Sequence, residues 1–394
     1  GTKYDERDTL QGRVKALFEV DDFHMILSGE WFDYSSNGPS RIAQVYRTGP
    51  NNPPFAFTAR IYTQIFPIPG QTIDSYIAST EADFDTVAIN QPISTDVTTQ
   101  TYNATLWYDT SFGQIKFITG TRQVSSVASV DLDGSQYKVH TTTGTQDLSQ
   151  YSAELQVTGR AFNDSVDFAL GALYFTESGF DSSTSIVVPN LNPNTSSFFG
   201  QIDNVSKGIY GQATWRFWKG LAFTGGLRYS DESKGLFSNN GNINRNTGNF
   251  ACSYALGCPQ QREDSFSDWS YTAGFDYQIN DDMMAYIKYS KGFRSGGQNL
   301  RATSAVTLVP FLPETVYEGE IGFKGEFMDR RLRTNLAVFK NHTDDAQRST
   351  LVGTINPPST STILGNAARV STWGLEAEAT FLVIEGLTAT GTVA

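Results

Sequence analysis

Very short turns and very long connections alternate along this chain, and the segments between them change polarity residue by residue. The short connections fall at Asp21-Asp22, Ser111-Phe112-Gly113, Asn163-Asp164, Trp218-Lys219-Gly220, Asn280-Asp281-Asp282, Met328-Asp329-Arg330 and Ile384-Glu385-Gly386. The long ones cover 35–97, 125–148, 178–204, 232–264, 294–313 and 348–368. A soluble sandwich or propeller gains nothing from making every second connection long. An antiparallel barrel that spans an outer membrane has tight turns on the periplasmic side and extended loops outside. The alternation therefore predicts an all-β, transmembrane, up-and-down barrel with long extracellular loops.

Fourteen strands can be placed, at 11–20, 23–34, 101–108, 114–122, 151–160, 166–175, 209–217, 221–230, 265–279, 283–293, 316–327, 331–346, 370–381 and 387–394. Strand 265–279 shows the pattern. Trp269, Tyr271, Ala273, Phe275, Tyr277 and Ile279 share one face, and Asp268, Ser270, Thr272, Gly274, Asp276 and Gln278 share the other. Successive side chains on a strand point to opposite sides, so this period of two separates an apolar from a polar face. A soluble sheet can carry one polar face as well. Two features favour the membrane. Many apolar faces end in aromatics such as Trp107, Tyr108, Trp215, Phe217, Tyr229, Tyr289 and Trp373, as interfacial girdles require. The strands also run to ~10 residues or more, about twice the usual soluble length.

Composition agrees. Hydrophobic content is 39% and mean hydropathy −0.32, so no run approaches the ~20 apolar residues of a membrane helix. A barrel hides its apolar residues at alternate positions, and its average looks soluble. A formal charge of −12 with no basic cluster argues against nucleic acid as a partner. The two cysteines, Cys252 and Cys258, lie in one long loop with no histidine nearby. In an oxidising compartment they read as a small disulfide staple, with two free thiols as the alternative. The polar stretch from Gly1 to Leu10 has no apolar core of a signal peptide. If the Asp21 and Glu385 turns are both periplasmic, both ends of the chain point outward. Bacterial barrels keep an even strand count and normally both termini inside. The chain is thus expected to be an internal piece, 1–394, of a larger barrel domain.

Four stretches carry a resemblance. They are Tyr286-Ile-Lys-Tyr-Ser-Lys-Gly-Phe-Arg-Ser-Gly-Gly-Gln-Asn299, Leu312-Pro-Glu-Thr-Val-Tyr-Glu-Gly-Glu-Ile-Gly-Phe-Lys324, Asp329-Arg-Arg-Leu-Arg-Thr-Asn-Leu-Ala-Val-Phe339, and Asn366-Ala-Ala368 with Gly374-Leu-Glu-Ala-Glu378. In this order and at hairpin spacing they resemble the barrel of TonB-dependent outer-membrane receptors, of the siderophore and iron-complex branch. The likeness is sharp over 265–394 and architectural over 10–264. Each piece also has a barrel-building explanation. Pro313 suits a rim because it lacks an N–H, Gly292, Gly296 and Gly297 let a strand bend into a loop, and Gly374 permits close packing.

The resemblance implies a barrel of about 22 strands, of which this chain supplies about 14. It implies an N-terminal plug inside the barrel, and a preceding segment that meets the TonB–ExbB–ExbD complex of the inner membrane. The chain contains neither in recognisable form. It further implies import of a scarce solute, foremost a ferric siderophore or other iron complex, by a bacterial outer-membrane protein embedded in lipid and lipopolysaccharide. Cobalamin, haem and oligosaccharide are alternative cargoes on the same architecture, and a passive porin is an alternative function.

Ligands of such receptors bind above the plug, against outer loops and the upper lumen wall. The loop 35–97 offers Arg60, Tyr62, Phe66 and Tyr76, and other outer loops offer Arg245 and Arg301. Guanidinium and aromatic groups suit an anionic metal chelate through charge and stacking. Packing of the loops on themselves is the competing explanation. Phe198 and Phe199 could line the mouth or join a girdle. The charged set Glu318, Glu320, Lys324, Glu376 and Glu378 lies on the polar faces, where it could meet a plug or simply wet the lumen.

Enzyme chemistry finds no support. His24, His140 and His342 are isolated, which leaves no metal cluster, catalytic relay or cofactor site. Glu318 and Glu320 resemble a hydrolase pair only because they alternate on one strand face. Asp131-Leu-Asp-Gly134 lacks the further acids of a calcium loop.

Overall fold

A computed structural model describes residues 4–38, 89, 91–132, 138–187, 189, 192–304, 307–355, 358–366 and 369–394. Among them no helix occurs. The strands are β1 (Arg7–Val20), β2 (Phe23–Ser36), β3 (Ser94–Thr110), β4 (Gly113–Asp131), β5 (His140–Ala161), β6 (Val166–Val187), β7 (Asn194–Trp218), β8 (Leu221–Ser238), β9 (Gly241–Asn244), β10 (Phe250–Cys252), β11 (Gln260–Asn280), β12 (Met283–Arg294), β13 (Glu314–Phe327), β14 (Leu332–Asp344), β15 (Gln347–Ile355), β16 (Pro358–Asn366), β17 (Val370–Ile384) and β18 (Leu387–Val393).

Fourteen of these form one antiparallel path in chain order, from β1 through β8, then β11 to β14, then β17 and β18. They are the fourteen strands expected from the alternation, joined by the expected tight turns. Asp21, Asn163 and Asp329 adopt positive φ there, at 49°, 54° and 55°, a conformation that short polar side chains tolerate. Among the described residues β1 pairs only with β2, and β18 only with β17.

The pairing register turns the alternation into two continuous faces. One row runs Val166–Trp215–Phe223–Phe275–Ile287–Ile321–Val338–Leu375 across eight strands. Six of its eight members stand exposed on the outer face, with Ile321 62% and Val338 54% exposed, and Val166 and Phe223 are half-buried among their neighbours. Exposed side chains of this size in an unbroken band are what a lipid-facing wall requires. Aromatic pairs edge the band, among them Tyr229 with Trp269 at 4.9 Å and Trp215 with Phe217 at 5.1 Å.

The long connections differ from expectation. Within 125–148, residues 125–131 and 140–148 are strand rather than loop: β4 continues to Asp131 and β5 begins at His140, with Asp131 opposite Thr141. In the same way β6 and β7 extend into 178–204, and β8 and β11 into 232–264. The stretch 348–368 is largely the β15–β16 hairpin, a separate two-stranded sheet. Beyond the bilayer both faces meet water, so polar contrast vanishes while Thr, Ser and Val keep the chain extended. Among the described residues of these connections, 294–304 and 307–313 stay largely irregular, with a bridge from Gly297 to Phe311. Most of 35–97 lies outside the described residues.

Candidate functional site

The polar face is the lumen wall, and its charges are arranged in pairs. Lys288 on β12 stands opposite Glu320 on β13. Its ammonium lies 3.2 Å from Glu320 and 3.8 Å from Glu318. Tyr286 donates a 2.6 Å hydrogen bond to Glu320 Oε1. The ring reaches that far because it lies across Gly322, where a Cβ would meet it at 2.3 Å. Lys324 Nζ lies over the same ring, 5.8 Å from its centroid. Two strands on, Asn335 donates to Glu378 at 3.1 Å, and Glu376 shares that face of β17 opposite Ala337. The structure therefore gathers Glu318, Glu320 and Lys324 into one cluster and places Glu376 and Glu378 beyond it.

Sequence reasoning passed over Tyr286 and Lys288 as site residues. Their parity was the available signal, since they alternate with Ala285, Ile287 and Tyr289. A second cluster was missed in the same way. Tyr210 crosses Gly171, where a Cβ would lie 2.3 Å from the ring, and donates to Glu154 at 2.7 Å. Glu177 accepts from Gln150 at 2.6 Å and from Asn204 at 3.1 Å.

Above the membrane, the 294–313 loop folds inward. Ser295 reaches Glu232 at 2.8 Å and Gln298 reaches Asp264 at 2.6 Å. Leu300 fills the space over Gly200. Glu232, Asp264 and Gly200 all share the lumen face with Tyr210, so this loop leans on the inner wall. Its Arg301 binds Asp181 at 2.8 Å and sits 6.0 Å over the Phe198 ring. The Arg301 side chain remains 53% exposed. Phe199 points the other way, packing on Phe180 and Phe237 at 6.0 and 6.1 Å on the outer face.

A small apolar core of Leu236, Tyr254, Ala302 and Leu308 anchors these loops. At its centre the fully buried Asn240 donates to Tyr254 Oη, Leu300 O and Ala302 O at 2.9, 3.0 and 2.9 Å. Its Oδ1 accepts from Phe199 N at 3.0 Å. Burial pushes the Tyr254 phenol above its ordinary pKa, while hydrogen bonds from Ser238 and Asn240 partly oppose the shift. Cys252 and Cys258 are bridged beside this core, with Cα atoms 5.7 Å apart. At the outer end of β5, burial holds His140 below its ordinary pKa against the pull of Asp131.

Arg245 does something different. It donates to the carbonyls of Pro189, Asn192 and Asn194, tying the β9–β10 turn to the loop before β7. Arg60, Tyr62, Phe66 and Tyr76 lie outside the described residues, as do Asp133 and Gly134 of the calcium-like stretch.

An up-and-down antiparallel wall with an apolar lipid face, a charged lumen face and elaborate structure at one rim defines a bacterial outer-membrane barrel protein. A family model described as the TonB dependent receptor-like β-barrel matches residues 27–393, and the chain belongs to that family. Its members are transport proteins of the Gram-negative outer membrane rather than enzymes.

Solved structures share the fold at low identity. The ferric yersiniabactin uptake receptor FyuA of Yersinia pestis is 16% identical with a TM-score of 0.70, over 98% of this chain and 52% of its own. The ferripyoverdine receptor of the outer membrane of Pseudomonas aeruginosa is 15% identical with a TM-score of 0.62, over 99% and 50%. A copper transporter, OprC, is 9% identical with a TM-score of 0.65, over 98% and 52%. The chain thus spans about half the length of the structures it matches.

Proposed function

We propose that this chain is the barrel part of a TonB-energised receptor that imports a scarce metal chelate, foremost a ferric siderophore or other iron complex. The observation that supports this reading is the group of Arg301, Phe198 and Asp181 on the upper lumen wall. A half-exposed guanidinium over an aromatic ring, oriented by a carboxylate, offers charge and a stacking face to an anionic chelate. Iron-chelate receptors among the structural neighbours point the same way. The copper transporter makes the metal itself an outcome of the test.

On this reading Arg60, Tyr62, Phe66 and Tyr76 extend the ligand surface from the longest loop. Arg245 contributes by holding the loop beside it. The charged lumen groups Glu318, Glu320, Lys324, Glu376 and Glu378 face a plug, and TonB–ExbB–ExbD acts through a region outside this chain. The test is uptake of radiolabelled iron chelates by cells carrying the full receptor with Arg301→Ala, Arg60→Ala or Tyr62→Ala. Lower uptake at an unchanged amount of membrane-inserted barrel supports the reading. Unchanged uptake in all three variants removes these loops from ligand binding. Uptake of copper in place of iron replaces the cargo.

A further inference from the structure

An apolar belt crosses the inward face of the wall, where polar side chains otherwise prevail. Phe32, Val124, Leu148, Ile202 and Leu236 stand in one row over β2–β8, with Thr99 and Gly179 between them. Six strand spacings make the row about 29 Å long. The row beneath it is polar, with Glu30, Arg122, Gln150, Glu177 and Lys234 at the matching positions. The row above holds Ser126, Gln146 and Asp181. Tyr34 and Val97 thicken the belt only at its β2 end, where the Tyr34 ring stacks on Phe32 at 6.5 Å. Over most of its length the belt is therefore a line one residue high.

The belt is covered at its β8 end and keeps accessible surface along the rest. Leu236 is buried under Tyr254, Ala302 and Leu308 of the outer loops, whereas Phe32, Val124, Leu148 and Ile202 are half-buried. Leu300 of the inward-folded loop lies over Gly200, the next inward position above Ile202. The same loop carries Arg301, and its partner Asp181 is the next inward position above Gly179. The group of Arg301, Asp181 and Phe198 thus borders the belt directly.

Apolar side chains facing a hydrated lumen gain free energy only by covering something apolar. The shape of the belt decides what that is. A packed domain face buries a broad patch, which a line between two polar rows does not offer. A linear aliphatic chain matches it, because each methylene laid along the row leaves water while the polar rows on either side stay hydrated. From Ile202 to Phe32 the row offers such a chain about 24 Å. The end beside Asp181 and Arg301 fixes where the polar part of the occupant sits. We infer that the imported chelate is amphiphilic, with its metal-binding head at Arg301 and Phe198 and an acyl chain laid along the row from Ile202 towards Phe32.

This inference rests on the chelate reading, and the test separates the two. Binding to the full receptor in lipid nanodiscs is measured for ferric hydroxamate, catecholate and citrate-based chelates. Each is prepared with a dodecanoyl chain and with an acetyl group in its place, and partition into receptor-free discs is subtracted. For a headgroup that binds, the dodecanoyl form should bind about tenfold tighter, as withdrawal of about two methylene groups from water would give. Leu148→Gln with Ile202→Thr should bring the dodecanoyl form to the affinity of the acetyl form. Val124→Thr, which nearly keeps the side-chain shape, should reduce the preference in part. Arg301→Ala should weaken both forms alike. Binding without a dodecanoyl preference overturns the inference and leaves the chelate reading standing. A preference that survives the double variant overturns it as well. An equal loss of both forms in that variant assigns the belt to packing within the receptor, and the inference falls. No binding of any headgroup in either form overturns both readings. Circular dichroism and the amount of inserted barrel establish that each variant folds.

Discussion

Tyr286 and Glu320, on neighbouring strands, are joined by a 2.6 Å hydrogen bond that exists only because Gly322 leaves room for the ring between them. The three residues act as one unit on the lumen wall. Tyr286→Phe removes the donor and should cost about 1–2 kcal/mol, the range for a hydrogen bond to a partly solvated charge. Gly322→Val should cost more, since the ring must leave altogether. Chemical denaturation of the detergent-solubilised barrel measures both. A glycine variant as stable as the parent would contradict the close approach.

On the opposite face the membrane sets the penalty. Ile321→Arg places a cation in the middle of the lipid-facing row and should destabilise the barrel by about 2–4 kcal/mol. Lys324→Ala, on the lumen side of the same strand, should leave insertion intact. If the two variants reach the outer membrane in equal amounts, the assignment of faces is wrong.

Asn240 holds the outer loops together through four hydrogen bonds in a buried position. Asn240→Ala leaves the Leu300 carbonyl and the Phe199 N–H without their Asn240 partner, while Ala302 O keeps the Tyr254 hydroxyl, so the local cost should be about 2 kcal/mol. Hydrogen exchange over 239–259 and 295–304 should accelerate together. Acceleration of one loop alone would show that they do not share a core.

The disulfide is open to direct chemistry. Alkylation without reduction should label neither Cys252 nor Cys258. Closing so short a loop is worth about 2 kcal/mol, so reduction should expose 239–259 to protease. Labelling of both thiols in unreduced protein would refute the bridge.

Alkaline pH provides a separate probe of the same cap. The Tyr254 phenol is raised above its ordinary value near 10, so the opened loop loses that proton before the closed one does. The closed state binds more protons, and stability must fall as pH rises past that value. Proteolysis of the cap should therefore increase above pH 10, and Tyr254→Phe should flatten the dependence. A rise that persists in the variant would assign the effect to another group.

The strands and tight turns were legible because both are local. Alternation at Trp269–Ile279 or Trp373–Phe381 marks a strand and its two faces without reference to any partner, and consecutive strands then pair in order. Parity also marked Glu318, Glu320 and Lys324 as lumen residues. The outer extensions of β4 to β8 were not legible, because above the bilayer their two faces no longer differ in polarity. Phe198 and Phe199 show the same limit: adjacent in sequence, they end on opposite sides of the wall.

What the sequence determined by itself was therefore the period of two, the fourteen-strand order and the membrane as solvent for one face. Only the tertiary structure decided which loop folds inward, which arginine meets Phe198 and which ties loops together. Arg301 meets Asp181 across 120 positions, and Asn240 meets Ala302 across 62. No short-range pattern encodes such contacts, since they arise from loop closure over a rim whose shape the whole barrel sets.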